Sequence, residues 1–140
     1  MDGDASAPEN LVTPIGRLLG RAFVGRDRAT SVTRSRFVAS PKFANRHGST
    51  HGGMLAAMLD SAAVMAAFYE LPPGMSMVTA RLDVEFLKPA PIGQLEGSAR
   101  IAARDERNIH VDAELATPAG VVVARARATL RLVPRRLDGT

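Results

Sequence analysis

Between Met54 and Phe68 every residue is apolar except two neighbours, Asp60 and Ser61, and the run opens with His51-Gly52-Gly53. The segment is rich in good helix formers and contains no proline, which predicts a helix; being apolar nearly all round, it predicts a buried one. A lone carboxylate in such a helix costs several kcal/mol unless it is paired, hydrogen-bonded or protonated. Asp60 is therefore the first candidate functional residue.

The chain has 140 residues, 46% of them hydrophobic, which suits one ordinary domain with a real core. Asp60 and then Glu70-Leu71-Pro72-Pro73 interrupt the only apolar candidate for a bilayer span. The start, Met1 to Pro8, is acidic, lacks a hydrophobic stretch and does not resemble a signal peptide, so the expected location is the cytoplasm. The absence of cysteine removes disulfides, thiolate metal sites and cysteine nucleophiles. The net charge of +4 comes almost wholly from arginines spread along the chain. Spread charge with few aromatics and no DNA- or RNA-binding signature predicts a solvated surface, not a nucleic-acid partner.

Residues 1 to 10 read as a loose tail. Thr13-Pro14 to Gly20 predicts a short helix with a threonine cap, proline in the first turn and glycine at the end. A first strand is expected within Ala29 to Ala39, a loop over Pro41 to Thr50, and the long helix from about Gly53 to Glu70, where Pro72-Pro73-Gly74 stops it. Four strands follow: Met77 to Leu87, Leu95 to Ala103, Ile109 to Ala116 and Val121 to Val133. One long apolar helix and a meander of strands make an α+β layout in which an antiparallel sheet wraps a central helix.

The ordered set Asn45-Arg46-His47-Gly48-Ser49-Thr50-His51-Gly52-Gly53, Asp60, Val78-Thr79, Phe86-Leu87-Lys88-Pro89-Ala90 and Gly93 resembles the hotdog-fold acyl-CoA thioesterases of the phenylacetate-degradation, PaaI-like branch. The resemblance covers roughly Pro41 to Leu132 and implies a five- to six-stranded antiparallel sheet around the helix. It also implies an obligate dimer, often paired into a homotetramer.

Hydrolysis of a thioester needs a donor for the negative charge that develops on the carbonyl oxygen, and a base or nucleophile that delivers oxygen to the carbon. A helix that begins at Gly52-Gly53 offers free backbone amides, and the Gly52 amide is the candidate oxyanion donor. Asp60 either deprotonates a water or attacks directly to form an anhydride. Eight residues separate the two, or about 12 Å along a continuous helix, so one thioester carbon cannot touch both. If both act, they come from different copies of the chain related by a two-fold axis.

From the resemblance, Asn45 orients the water or the thioester, His51 hydrogen-bonds the thioester or fixes the loop, and Thr79 supplies a hydroxyl that holds the water. The same resemblance carries coenzyme A contacts to Arg81, Phe86, Lys88, Pro89, Arg104, Arg107 and Asn108. His47 and His51 have the spacing of a helical metal pair, but Gly48 between them argues against the helix such a pair needs. Ser49, His51 and Asp60 are triad residue types without the Gly-x-Ser-x-Gly spacing of a nucleophile elbow. Met54 and Met58 fill core or line an acyl pocket.

The leading expectation is an acyl-CoA thioesterase that uses no metal or redox cofactor. The alternative is a non-catalytic acyl-CoA-binding sensor, which gains nothing from Asp60. Enoyl-CoA hydration is disfavoured, because related hydratases place a histidine where this chain has Met65.

Overall fold

The computed structural model describes residues 12–136, so the expected tail over residues 1–10 lies outside it. In the strands β2 (Val32–Ala39), β4 (Gly93–Arg104), β5 (Asn108–Ala116) and β6 (Val122–Pro134), stretches alternate between buried and exposed residues, as one face packs on a core and the other meets water. With β1 (Ala22–Asp27) and β3 (Met75–Phe86) they form one six-stranded antiparallel sheet in the order β1-β2-β4-β5-β6-β3.

The short helix α1 (Pro14–Leu18) forms for the expected reasons. Thr13 Oγ1 accepts the Gly16 amide at 3.1 Å, Pro14 occupies the first position, and Gly20 reverses the chain at φ +61°. A strand does lie within Ala29 to Ala39, as β2, but it is not the first: an additional strand, β1, precedes it, and residues 28–31 form the turn between them, in which Ser31 takes φ 60°. β1 had no period-two signal because it is short, lies on the sheet edge and carries a register shift between Phe23 and Gly25.

The long helix α2 (Gly52–Ala67), extended by one 3₁₀ turn over Phe68–Glu70, lies against β5, β4, β6 and β2. Alanines meet on both sides of this contact: Ala62, Ala63, Ala66 and Ala67 of the helix, and Ala99, Ala113, Ala124, Ala126 and Ala128 of the sheet, are all buried. Small side chains on both surfaces let the sheet curve closely over the helix, while Phe37, Leu95, Ile109, Val111, Leu115 and Leu130 fill the wider spaces around it.

Two expectations about this helix need correction. It is not buried all round: Gly53 is exposed, and Ala56, Ala57, Asp60 and Val64, which share its helical face, are only half-buried. By length and composition alone Gly52–Glu70 is long and apolar enough to cross a membrane despite Asp60, although half of it is buried in the protein.

The open stripe of α2 lies next to an open strand. β3 pairs with β6 along one side, and no strand among the described residues pairs with its other side. Val78 and Phe86, both on β3, are more than half exposed. A twelve-residue unpaired edge with exposed apolar residues of this kind is a template for pairing with another chain.

Gly97 shows how tightly β2 and β4 are fitted. A Cβ there would come within 2.6 Å of Ser35 Oγ and 2.8 Å of the buried Phe37 ring. Gly97→Ala should therefore destabilise the protein by about 1–3 kcal/mol, read as a lower urea midpoint with an unchanged slope.

Candidate active site

The loop that leads into α2 is held by one side chain. Asn45 Oδ1 accepts the backbone amides of His47 at 2.9 Å and Ser49 at 3.2 Å, and its Nδ2 donates to Ser49 Oγ at 2.9 Å. Three bonds from one amide close the turn and leave Asn45 a single N–H to offer elsewhere. The loop is then docked on the sheet connection by Thr50, whose amide donates to the Ala90 carbonyl and whose hydroxyl donates to that of Pro91.

His51 caps the helix. Its Nδ1 accepts the Gly53 amide at 3.0 Å and its carbonyl accepts the amides of Met54 and Leu55. Because Nδ1 is an acceptor, the neutral ring carries its proton on Nε2, and that donor is the one left over. Three of the first four helix amides are thus satisfied. The Gly52 amide has no hydrogen-bond acceptor among the described residues.

Gly52 lines a cavity of about 570 Å³ with Asn45, His47, Leu55, Phe86 and Lys88 around it. An orphan amide at the positive end of a sixteen-residue helix, opening on a cavity, is a ready donor for a developing oxyanion. Phe86 packs over Gly52, with its ring 3.4 Å from where a Cβ would stand.

Asp60 is two turns along the same helix, on the half-open stripe. Its Oδ1 accepts a hydrogen bond of 2.7 Å from the hydroxyl of Thr79, on the edge strand β3. The expectation of a fully buried lone carboxylate is therefore corrected. One oxygen is held by Thr79 while the group keeps partial access to solvent, because α2 turns this face toward the uncovered edge. The Thr79 hydroxyl donates to the carboxylate, which is a more direct role than holding a water.

The expected coenzyme A residues divide into two groups. Phe86, Lys88 and Pro89 line the cavity at the start of α2. Arg104, Arg107 and Asn108 are at its other end, where Arg104 donates to the Glu70 carbonyl at 2.8 Å. There the backbone amides of Arg107 and Asn108 donate to Asp105, holding its carboxyl below the ordinary carboxylate range. Arg81 is exposed and paired with Asp83 at 2.8 Å, which raises its already high pKa. Within one chain these cations do not converge on the Gly52 cavity.

A profile of the thioesterase superfamily matches residues 47–124, from the loop before α2 into β6. The chain belongs to the thioesterase superfamily. It is a hotdog thioesterase of the PaaI-like kind, and an enzyme that hydrolyses thioesters. Its similarity to the Mycobacterium tuberculosis protein named "Putative esterase Rv1847" is 30% identity over 95% of this chain and 96% of that one. The crystal structure of a Ralstonia eutropha JMP134 protein described as a "putative thioesterase, phenylacetic acid degradation-related protein" superposes with a TM-score of 0.80 at 36% identity, covering 85% of this chain and 90% of that one. A Bacillus halodurans protein crystallised with CoA superposes at 0.78 with 25% identity over 89% and 82% of the two chains.

Some features of this thioesterase had no specific sequence signal. Leu55 lines the cavity yet looks like ordinary core sequence, and His47, Leu87 and Ala90, though part of the resembling elements, were assigned no place in the site. The bond from Thr79 to Asp60 joins residues 19 apart, which no local pattern encodes.

The oxyanion assignment can be tested without disturbing the helix. Proline at the first helical position lacks only an N–H that makes no helical bond, and His51 already has the extended ψ of 134° that a residue before proline requires. The thioesterase variant Gly52→Pro should keep its circular dichroism spectrum and thermal midpoint while kcat falls by about 10²–10³-fold.

Proposed function

We propose that the protein is an acyl-CoA thioesterase whose active site is shared between two copies of the chain. The Gly52 amide of one copy stabilises the oxyanion, and Asp60 of the other activates the attacking oxygen. The observation that carries this reading is the division of the machinery along α2. The free amide opens on the cavity at one end, while the Thr79-held carboxylate sits two turns away on a stripe that faces an unpaired strand edge.

Pairing of β3 with its counterpart in a second copy would extend the sheet and cover the exposed apolar residues of that strand. It would also bring two α2 helices together antiparallel across their half-open stripes. Asp60 of one copy then approaches Gly52 of the other. The separation of Arg104, Arg107 and Asn108 from the cavity fits the same arrangement, because an antiparallel partner brings the far end of its helix toward this cavity. These cations, with Lys88, are the groups suited to the phosphates of coenzyme A. Two such dimers form the homotetramer of this reading.

In the reaction, water adds its oxygen to the thioester carbon as Asp60 accepts the proton, or Asp60 itself attacks and water opens the resulting anhydride. In either case negative charge grows on the carbonyl oxygen in front of the Gly52 amide. Collapse breaks the carbon–sulfur bond and releases the acid and the thiol. Neither route calls on a metal or a redox cofactor. His51 Nε2 and the spare N–H of Asn45 are positioning donors for the thioester or the water.

The test is thiol release from aryl, short-chain and medium-chain acyl-CoAs. Asp60→Asn preserves size and still accepts the Thr79 hydroxyl bond, so the variant should fold normally and lose about 10²–10⁴-fold in kcat. Near-normal turnover in that variant would remove Asp60 from the mechanism; tight acyl-CoA binding without turnover by the unaltered protein would make it a sensor.

A further inference from the structure

Leu55, Met58, Leu59 and Met65 anchor α2 in the core, but beyond Asp60 much of its contact with the sheet is alanine on alanine, at Ala62, Ala63, Ala66 and Ala67, and small side chains give its rotation little shape to lock onto. Two hydrogen bonds from consecutive residues supply what packing lacks. Asp60 takes the Thr79 hydroxyl at 2.7 Å on the side of β3. Ser61, buried on the opposite side of the stripe, takes Nη1 of Arg21 at 2.7 Å. Successive residues on a helix point about 100° apart, so the two bonds hold one level of α2 from two directions.

Arg21 is itself tightly placed. It lies between α1 and β1, and its own amide donates to the Gly16 carbonyl. Its guanidinium crosses directly over Gly16, where an added Cβ would sit 2.9 Å from Nη2. The group is half-buried, and that desolvation lowers its pKa. Bringing a cation this far from water is costly, and a surface hydrogen bond does not require it.

We propose that Arg21 is a positioning residue of the thioesterase site, acting through Ser61 to set the rotation of α2 that aims Asp60. The inference rests on the reading of Asp60 as the catalytic carboxylate. Gly16 is part of the device, because any larger residue there displaces the guanidinium from Ser61.

This role makes stability and turnover separable. Gly16→Ala adds a better helix former in α1, and the guanidinium that must yield is the end of a flexible side chain. The thermal midpoint of Gly16→Ala should hold or rise while kcat falls, and Arg21→Met should lower kcat about tenfold with KM changed less than about twofold. In an Asp60→Asn background, adding Arg21→Met should leave the residual rate unchanged, since there is no carboxylate left to aim.

An inactive Asp60→Asn together with a wild-type kcat in both Arg21→Met and Gly16→Ala would overturn the positioning role and leave Asp60 standing. A kcat loss in Arg21→Met that persists at full size in the Asp60→Asn background would overturn it as well, by showing that Arg21 acts elsewhere. Near-normal turnover of Asp60→Asn alone would instead remove the reading on which the inference rests.

Discussion

The structure depends on a helix that is almost, but not quite, enclosed. Packing on β2, β4, β5 and β6 gives α2 its place and covers most of its circumference. β3 is an edge of the sheet, and the stripe holding Gly53, Ala56, Ala57, Asp60 and Val64 turns toward it. A helix buried all round would have sealed Asp60 from any substrate. One facing water on all sides would have left the carboxylate without the hydroxyl that holds it. The half-open stripe is what allows a carboxylate to be held by Thr79 and still be reached.

On the proposed shared-site reading, a single chain carries only part of the machinery. Helix dipoles and orphan amides exist only at helix ends, whereas the half-open stripe runs along the middle. A chain that uses the end of α2 for charge stabilisation and its middle for the reacting carboxylate separates the two by the rise of the helix. Bringing them together requires an antiparallel second helix, and the unpaired side of β3 is the surface through which that helix can be delivered. In the proposed pair, the cations at the far end of α2, remote in the single chain, would come next to the ligand.

Most of the fold was legible in the sequence because its signals are local. The composition and length of Met54 to Phe68 marked α2, and alternation with proline and glycine breaks marked β3 to β6 to within two residues at nearly every end. β1 was not legible, since a six-residue edge strand with a register shift carries no clean alternation. At the site, Gly52 was legible as a helix-terminal glycine, and Asp60 as a charge out of place. What could not be read were contacts between distant residues: Thr79 to Asp60 and Arg21 to Ser61. The expectation of a fully buried carboxylate failed for a related reason. The sequence shows that a helix is apolar on every side, but not that the sheet stops one strand short of closing around it.

The most direct test of the shared site is complementation between chains that are each inactive for a different reason. Asp60→Asn chains and Gly52→Pro chains would be mixed, allowed to exchange, and assayed for thiol release, with mixed dimers quantified separately by native mass spectrometry. Half of a random mixture is mixed dimer, and each of these carries one intact site and one doubly defective site. The account therefore predicts recovery of about a quarter of wild-type turnover. Verified mixed dimers with no recovered activity would contradict it, because they would show that Gly52 and Asp60 do not act on one thioester from opposite chains.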